Sequence, residues 1–240
     1  MSTTIDPKDL LARVAARGRP DVARRLAQLA PGRAPLPIHA GPLEIAGPWS
    51  PATTALVVDG PVTIAGALIT AAEDGDGGLL VLLGPVRCTS LLAAAGSTTL
   101  CAGALDVDEL LFAATRDVVF EQHGPLRAGA IVSGAGTGWL TSYHDEVVAA
   151  ALHDHVADGR TGRGHAAARA LPRRNLAEVM VPEVVDLAEW EAFSDDERAA
   201  ERADGNGPLT YAGFDERAVH ARFFAGQPLL QPGWRATLAG

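Results

Sequence analysis

Cysteine, methionine, lysine and aromatic side chains are all scarce in this 240-residue chain, which has two cysteines, two methionines and 5% aromatic content. Cys88 and Cys101 are too few for a disulfide framework or for a zinc site built from cysteine pairs. Basic residues are in deficit as well: 20 Lys and Arg face 29 Asp and Glu, for a formal charge of -9 and a pI near 5.2. A nucleic-acid binder needs a concentrated basic face to neutralise phosphates, so that class of partner is excluded. The one basic run, Arg160 to Arg174, is Gly-rich at its start and reads as a connecting segment. No apolar stretch approaches the ~18 residues that span a bilayer, and no membrane partner is expected. Met1 to Leu10 has no basic region followed by an apolar one, so no secretory leader is expected and the cytoplasm is the expected location. A Gly-rich phosphate loop, a nucleophile elbow and zinc-type Cys/His spacing are also missing.

What the chain has in abundance is small and aliphatic: 26 glycines and 48% hydrophobic residues, enough for a sizeable core. Five glycines open related segments: Gly41-Pro42-Leu43-Glu44-Ile45, Gly60-Pro61-Val62-Thr63-Ile64, Gly84-Pro85-Val86-Arg87-Cys88, Gly103-Ala104-Leu105-Asp106-Val107 and Gly124-Pro125-Leu126-Arg127-Ala128. The glycines stand 19, 24, 19 and 21 residues apart, a period proper to stacked solenoid coils. A β-rich run precedes four of them, an alternating strand follows each of those four, and a third short apolar run comes next. The expected fold is therefore a β-solenoid, a single-stranded parallel β-helix of about five coils over residues 36–141.

Stacked in register, Leu43, Val62, Val86, Leu105 and Leu126 form one buried column and Ile45, Ile64, Cys88, Val107 and Ala128 another, because alternate side chains share a face. Glu44, Thr63, Arg87, Asp106 and Arg127 then point outward, the last three as a ladder of alternating charge. The glycines are expected to supply a turn with positive φ that a β-branched residue cannot adopt.

Short helical segments flank this domain. In residues 1–34, Asp6 caps a first helix with Pro7 in its first turn and Ile5 stapled onto Leu10, Gly18 ends it, and a second helix runs from about Pro20 to Ala30 with Val22, Leu26 and Leu29 on one face. Residues 142–240 read as mostly helical and irregular. Val147, Val148, Ala151, Leu152 and Val156 fit a helix started by Ser142, Ser194 to Glu197 start a charged helix, and Phe214 to Ala225 form the last one.

Candidate chemistry is thin. His144, His153 and His155 suggest a metal, but on a helix His153 and His155 point about 200° apart and His144 lies roughly 16 Å from His155, so no metal site is expected. The loop Glu73-Asp74-Gly75-Asp76-Gly77-Gly78 lacks the spacing of a twelve-residue calcium loop. Cys88 and Cys101 occupy different coil positions and are expected to be unpaired core residues. No catalytic, cofactor-binding or metal-ligating residue is assigned, and no cofactor is expected.

The segments Gly60-Pro61-Val62-Thr63-Ile64-Ala65-Gly66 and Gly84-Pro85-Val86-Arg87-Cys88 resemble the coils of bactofilin-like, polymer-forming β-helix proteins over residues 36–141. That resemblance implies a right-handed cytosolic scaffold assembling through its coil ends without a cofactor. The helical flanks depart from it, and are expected to cap the ends and hold a monomer or small oligomer. With Val181-Pro182-Glu183-Val184-Val185 and Ala225-Gly226-Gln227-Pro228-Leu229-Leu230, the layout also resembles bacterial solenoids among toxin-immunity and accessory proteins, which implies a protein partner, a basic one being favoured by the acidic charge. The alternative is a carbohydrate-active or acyl-transferring enzyme on a parallel β-helix. Left-handed acyltransferases keep a strict hexapeptide repeat, which these coils do not, and a sign-alternating ladder is what structure rather than catalysis requires.

Overall fold

The computed structural model describes residues 3–29, 34–51, 53–71, 78–115, 117–134, 139–154, 156–159, 163–164 and 166–239. A short strand β1 (Thr3–Ile5) leads into helices α1 (Pro7–Ala16) and α2 (Pro20–Leu29). Six coils follow, each made of two strands: β2 (Leu36–Ala40) and β3 (Leu43–Ile45), β4 (Ala55–Asp59) and β5 (Val62–Ile69), β6 (Leu79–Leu82) and β7 (Val86–Leu92), β8 (Thr98–Cys101) and β9 (Leu105–Ala113), β10 (Val119–Gln122) and β11 (Leu126–Ser133), β12 (Trp139–Ser142) and β13 (Val147–Asp154). The first strands of the coils stack in parallel as one sheet and the second strands as another, so the chain is a β-solenoid.

The register is the one the repeats dictate. Leu43, Val62, Val86, Leu105 and Leu126 pair in succession, as do Ile45, Ile64, Cys88, Val107 and Ala128. Both columns face the apolar interior between the sheets, which Leu82 and Phe120 of the first sheet and Leu111 of the second also fill. The three apolar runs of each coil are nevertheless two strands, not three. The second and third are continuous, bent where the register slips between Ile64 and Ala67, between Cys88 and Leu91 and between Ala128 and Ala130. A slipped residue bends a strand without ending it.

The turn glycines do a different job from the one expected. Of the five, only Gly41 has a positive φ, at 96°. The others are needed for close approach: a Cβ on Gly60, Gly84, Gly103 or Gly124 would lie 2.0, 2.2, 2.3 or 2.2 Å from the carbonyl oxygen of the repeat glycine one coil earlier. Prolines fit directly after them because that position need not donate to the ladder.

The segment from Ser142 is not helical. Val147–Asp154 is strand β13, paired with β11 from Leu126↔Val147 to Ser133↔Asp154, and sheet pairing continues through β14 (Ala157–Asp158). The solenoid therefore extends past residue 141, and the helix expected over Val147 to Val156 is its sixth coil. The turn that enters β13 has no glycine; it is closed by side chains, with His144 N–H donating to Ser142 Oγ (3.3 Å) and Glu146 N–H to His144 Nδ1 (3.0 Å).

Each flank covers an apolar outer face. Helices α1 and α2 lie on the first sheet, where Leu10, Val14, Val22 and Leu26 pack with Val57, Val81 and Leu100. Asp6 accepts from Lys8 N–H at 2.8 Å, and Gly18 follows α1 with a φ of 75°. The C-terminal segments lie on the second leg of the second sheet, where Met180, Val219, Phe223 and Trp234 cover Ile69, Leu92, Phe112 and Val132. The layers run from helices through sheet, core and sheet to the C-terminal cover, and the interior is plugged at its last coil by Ala168 of α3 (Ala166–Arg169).

Antiparallel strands close both edges of the first sheet: β1 beside β2, and β15 (Arg163–Gly164) beside β14. Removing residues 1–34 therefore uncovers an edge and an apolar face together. Each core-sized side chain uncovered forfeits about 1.5–3 kcal/mol. The truncated chain is expected to aggregate, read as light scattering and dye binding that the full chain lacks; a monodisperse truncation would overturn this account.

Candidate functional site

Two polar constellations stand out, and both belong to the flanks. The first seams the helical cap to the solenoid. Asp59 ends β4 with a side chain only 5% exposed, held by Arg13 at 2.7 Å and Arg17 at 2.5 Å. Glu121 in β10 is 4% exposed and takes a two-pronged contact from Arg25, Nε at 2.8 Å and Nη2 at 2.5 Å. Between these, Arg19 donates to the carbonyls of Ala102 and His123. The buried His123 ring stacks on Tyr143 with centroids 4.3 Å apart, its Nδ1 3.3 Å from Asp21 and its Nε2 3.7 Å from Glu121. Burial pushes the Glu121 carboxyl up, but the His123 ring and the Arg25 guanidinium outweigh it and hold the group below its ordinary value; Arg13 and Arg17 do the same for Asp59. An open cleft of about 370 Å³ beside this seam is lined by Arg19, Asp21, His123, Tyr143 and His144. Its charged groups are already matched to one another, which suits a tether better than a reaction centre.

The second constellation is an excursion from the C-terminal cover. Strands β16 (Val185–Asp186) and β17 (Gly213–Phe214) pair antiparallel and close its base. Between them lie α4 (Ala188–Ala192), α5 (Asp195–Ala203) and the turn Pro208–Tyr211. Trp190, Phe193 and Tyr211 form a small aromatic knot, with Arg202 5.5 Å over the Trp190 ring. Asn206 Nδ2 donates to Glu201 at 2.7 Å and the Tyr211 hydroxyl donates to the same carboxylate. These bonds lower the Glu201 carboxyl and raise the Tyr211 phenol. Ser194 and Glu197 make a full capping box on α5, a helix none of whose residues is buried.

Charge is what distinguishes this excursion. Residues 183–204 hold nine Asp and Glu against Arg198 and Arg202, a net -7 within a chain of -9. Sequence reading caught the Ser194-to-Glu197 start but missed the concentration, whose signal was a local rather than a total charge count.

The remaining sequence candidates do not converge. His144 accepts from the Glu146 amide, while His153 packs edge-on against Phe214 at 5.3 Å, on the far side of the second sheet. The helical divergence of His153 and His155 does not apply to a strand, and His155 lies outside the described residues, as does most of the Glu73–Gly78 loop. Among the described residues no group of three or more His, Cys, Asp and Glu could hold a metal ion. Cys88 and Cys101 are free and buried; burial pushes the Cys88 thiol up to about 12 and the Cys101 thiol up further. On the outer ladder Arg87 reaches Asp108 at 3.3 Å and Arg127 reaches Glu146 at 2.5 Å, rather than Asp106 as the alternation suggests, and both pairs are surface-exposed and screened by water. No helix among the described residues is long and apolar enough to cross a membrane. No family model, curated protein or solved structure matches the chain.

Proposed function

We propose that the protein is a non-catalytic binding protein whose solenoid carries the acidic excursion as the docking element for a basic protein partner. The observation that carries this reading is the net -7 gathered on residues 183–204 around a helix that buries nothing of its own. Such a surface steers an oppositely charged partner and raises its association rate at low salt. A basic toxin is the partner class that the resemblance to immunity-associated solenoids names. The antiparallel strands at both edges of the first sheet support a discrete species over a polymer-forming scaffold. The reading places the protein in the cytoplasm, which its two unpaired cysteines suit.

Two variants of equal net charge test it. Glu189→Lys with Asp196→Lys reverses charge on the excursion; Glu44→Lys with Asp106→Lys reverses the same amount on the outer ladder. The wild type and the ladder variant are expected to retain the same basic protein from a host lysate at low salt, and the excursion variant to lose it. Equal retention by both variants, or equal loss, would overturn the proposal.

A further inference from the structure

The basic run from Arg160 to Arg174 plays no part in the binding reading above, yet its described end lines a cavity. Arg173 and Arg174 lie beside the last coil, where Arg173 bridges Leu152 of β13 in parallel. Leu152 N–H donates to Pro172 O at 2.9 Å and Arg174 N–H to Leu152 O at 3.2 Å, so the backbone beneath both arginines is fixed like an added strand. A groove of about 500 Å³ opens there, lined by both arginines, His153, Glu178, Leu209 and Thr210. Its far wall is held in place as well. Asn175 caps the short helix Leu176–Glu178 and reaches the Leu209 carbonyl, and Thr210 Oγ1 accepts from Gly207 N–H at 3.1 Å, which leaves the hydroxyl hydrogen to donate.

Many other arginines are matched to carboxylates, Arg13 and Arg17 to Asp59, Arg25 to Glu121, Arg127 to Glu146 and Arg222 to Glu183, whereas Arg24, Arg169 and Arg217 lie outside this groove and have none among the described residues. Arg173 and Arg174 have no such partner among the described residues, although the chain carries 29 acidic side chains. Two arginines without a carboxylate partner and a hydroxyl donor that line the same groove, one large enough for a metabolite, are a set of donors in want of an acceptor. A carboxylate offers two oxygens, which one guanidinium fork satisfies. Two forks and a hydroxyl from opposite walls suit the three terminal oxygens of a phosphate monoester.

We infer that this groove is a binding site for the phosphate group of a phosphorylated small molecule. The groove borrows Leu209 and Thr210 from the turn that closes the acidic excursion but none of that excursion's carboxylates at 183–204, and its occupancy does not depend on the protein-partner reading.

Titration calorimetry of the full chain with inorganic phosphate, at an ionic strength held constant with sodium chloride, tests it. Saturable binding with a Kd of about 1 mM or tighter is expected for the wild type. Arg173→Ser with Arg174→Ser is expected to weaken it at least tenfold at an unchanged melting temperature, since both side chains are exposed. Arg169→Ser, which removes a basic-run charge outside the groove, is expected to bind as the wild type does. Absence of saturable binding by the wild type, wild-type affinity in the double variant, or an equal loss in Arg169→Ser would overturn the assignment, the last by showing diffuse charge attraction only.

Discussion

Gly84→Ala is expected to cost the fold at least ~3 kcal/mol, while Gly47→Ala is neutral or slightly stabilising. The added methyl at Gly84 would sit 2.2 Å from the Gly60 carbonyl oxygen and 2.8 Å from Pro61 N, both backbone atoms of the preceding coil. Backbone cannot rotate aside as a side-chain tip can. Relief requires prising two coils apart, and the amide of Val62 already donates to Pro85 O across that same junction at 2.9 Å. Nothing lies within 4 Å of a Cβ on Gly47, whose φ is ordinary, so alanine there only reduces the freedom of the unfolded chain, by about 0.5 kcal/mol. Urea denaturation of the two variants checks this. Equal midpoints would show that the glycine column is not what sets coil spacing.

Arg25→Ala is expected to destabilise by about 2–3 kcal/mol, because it strands a buried carboxylate. Glu121 is 4% exposed and its partner Arg25 32% exposed, which places the effect below that of a fully buried pair. Adding Glu121→Gln to Arg25→Ala should recover part of the loss, since the unmatched charge is then gone. The pH dependence has a definite sign. Glu121 and Asp59 are held below their ordinary values of 4.5 and 3.8 in the folded chain, so the stability they contribute is complete above those values and is lost as pH falls through the lowered ones. Wild-type stability should therefore drop steeply at acid pH, and Arg25→Ala should drop less steeply. Parallel pH profiles for the two proteins would refute the tether.

Much of the architecture is legible from short-range pattern. The glycine period and the alternation after each glycine assign both interior columns residue by residue, and Asp6, Pro7 and Gly18 bound the first helix. The sixth coil is hidden because its turn, Tyr143 to Glu146, uses Ser142 and His144 side chains in place of a glycine. Alanine-rich Val147–Asp154 also satisfies helical spacing as well as it does alternation, and only pairing with β11 decides between them. The same limit applies to function. Asp59 and Glu121 look like ordinary strand-end acids until the structure sets Arg13, Arg17 and Arg25 over them. Arg173 and Arg174 read as linker charge until the groove appears, because both depend on contacts that no local window contains.

The Arg25–Glu121 contact spans 96 residues, and Arg19 reaches Ala102 across 83. During synthesis the two leading helices therefore emerge long before the platform they rest on. Their apolar faces, with Leu10, Val14, Val22 and Leu26, must wait for Val57, Val81 and Leu100 of the second to fourth coils, and the Arg25–Glu121 contact for the fifth. The cover is made before the sheet it seals, so the nascent protein passes through a stage in which coils have stacked while their cover is still loose.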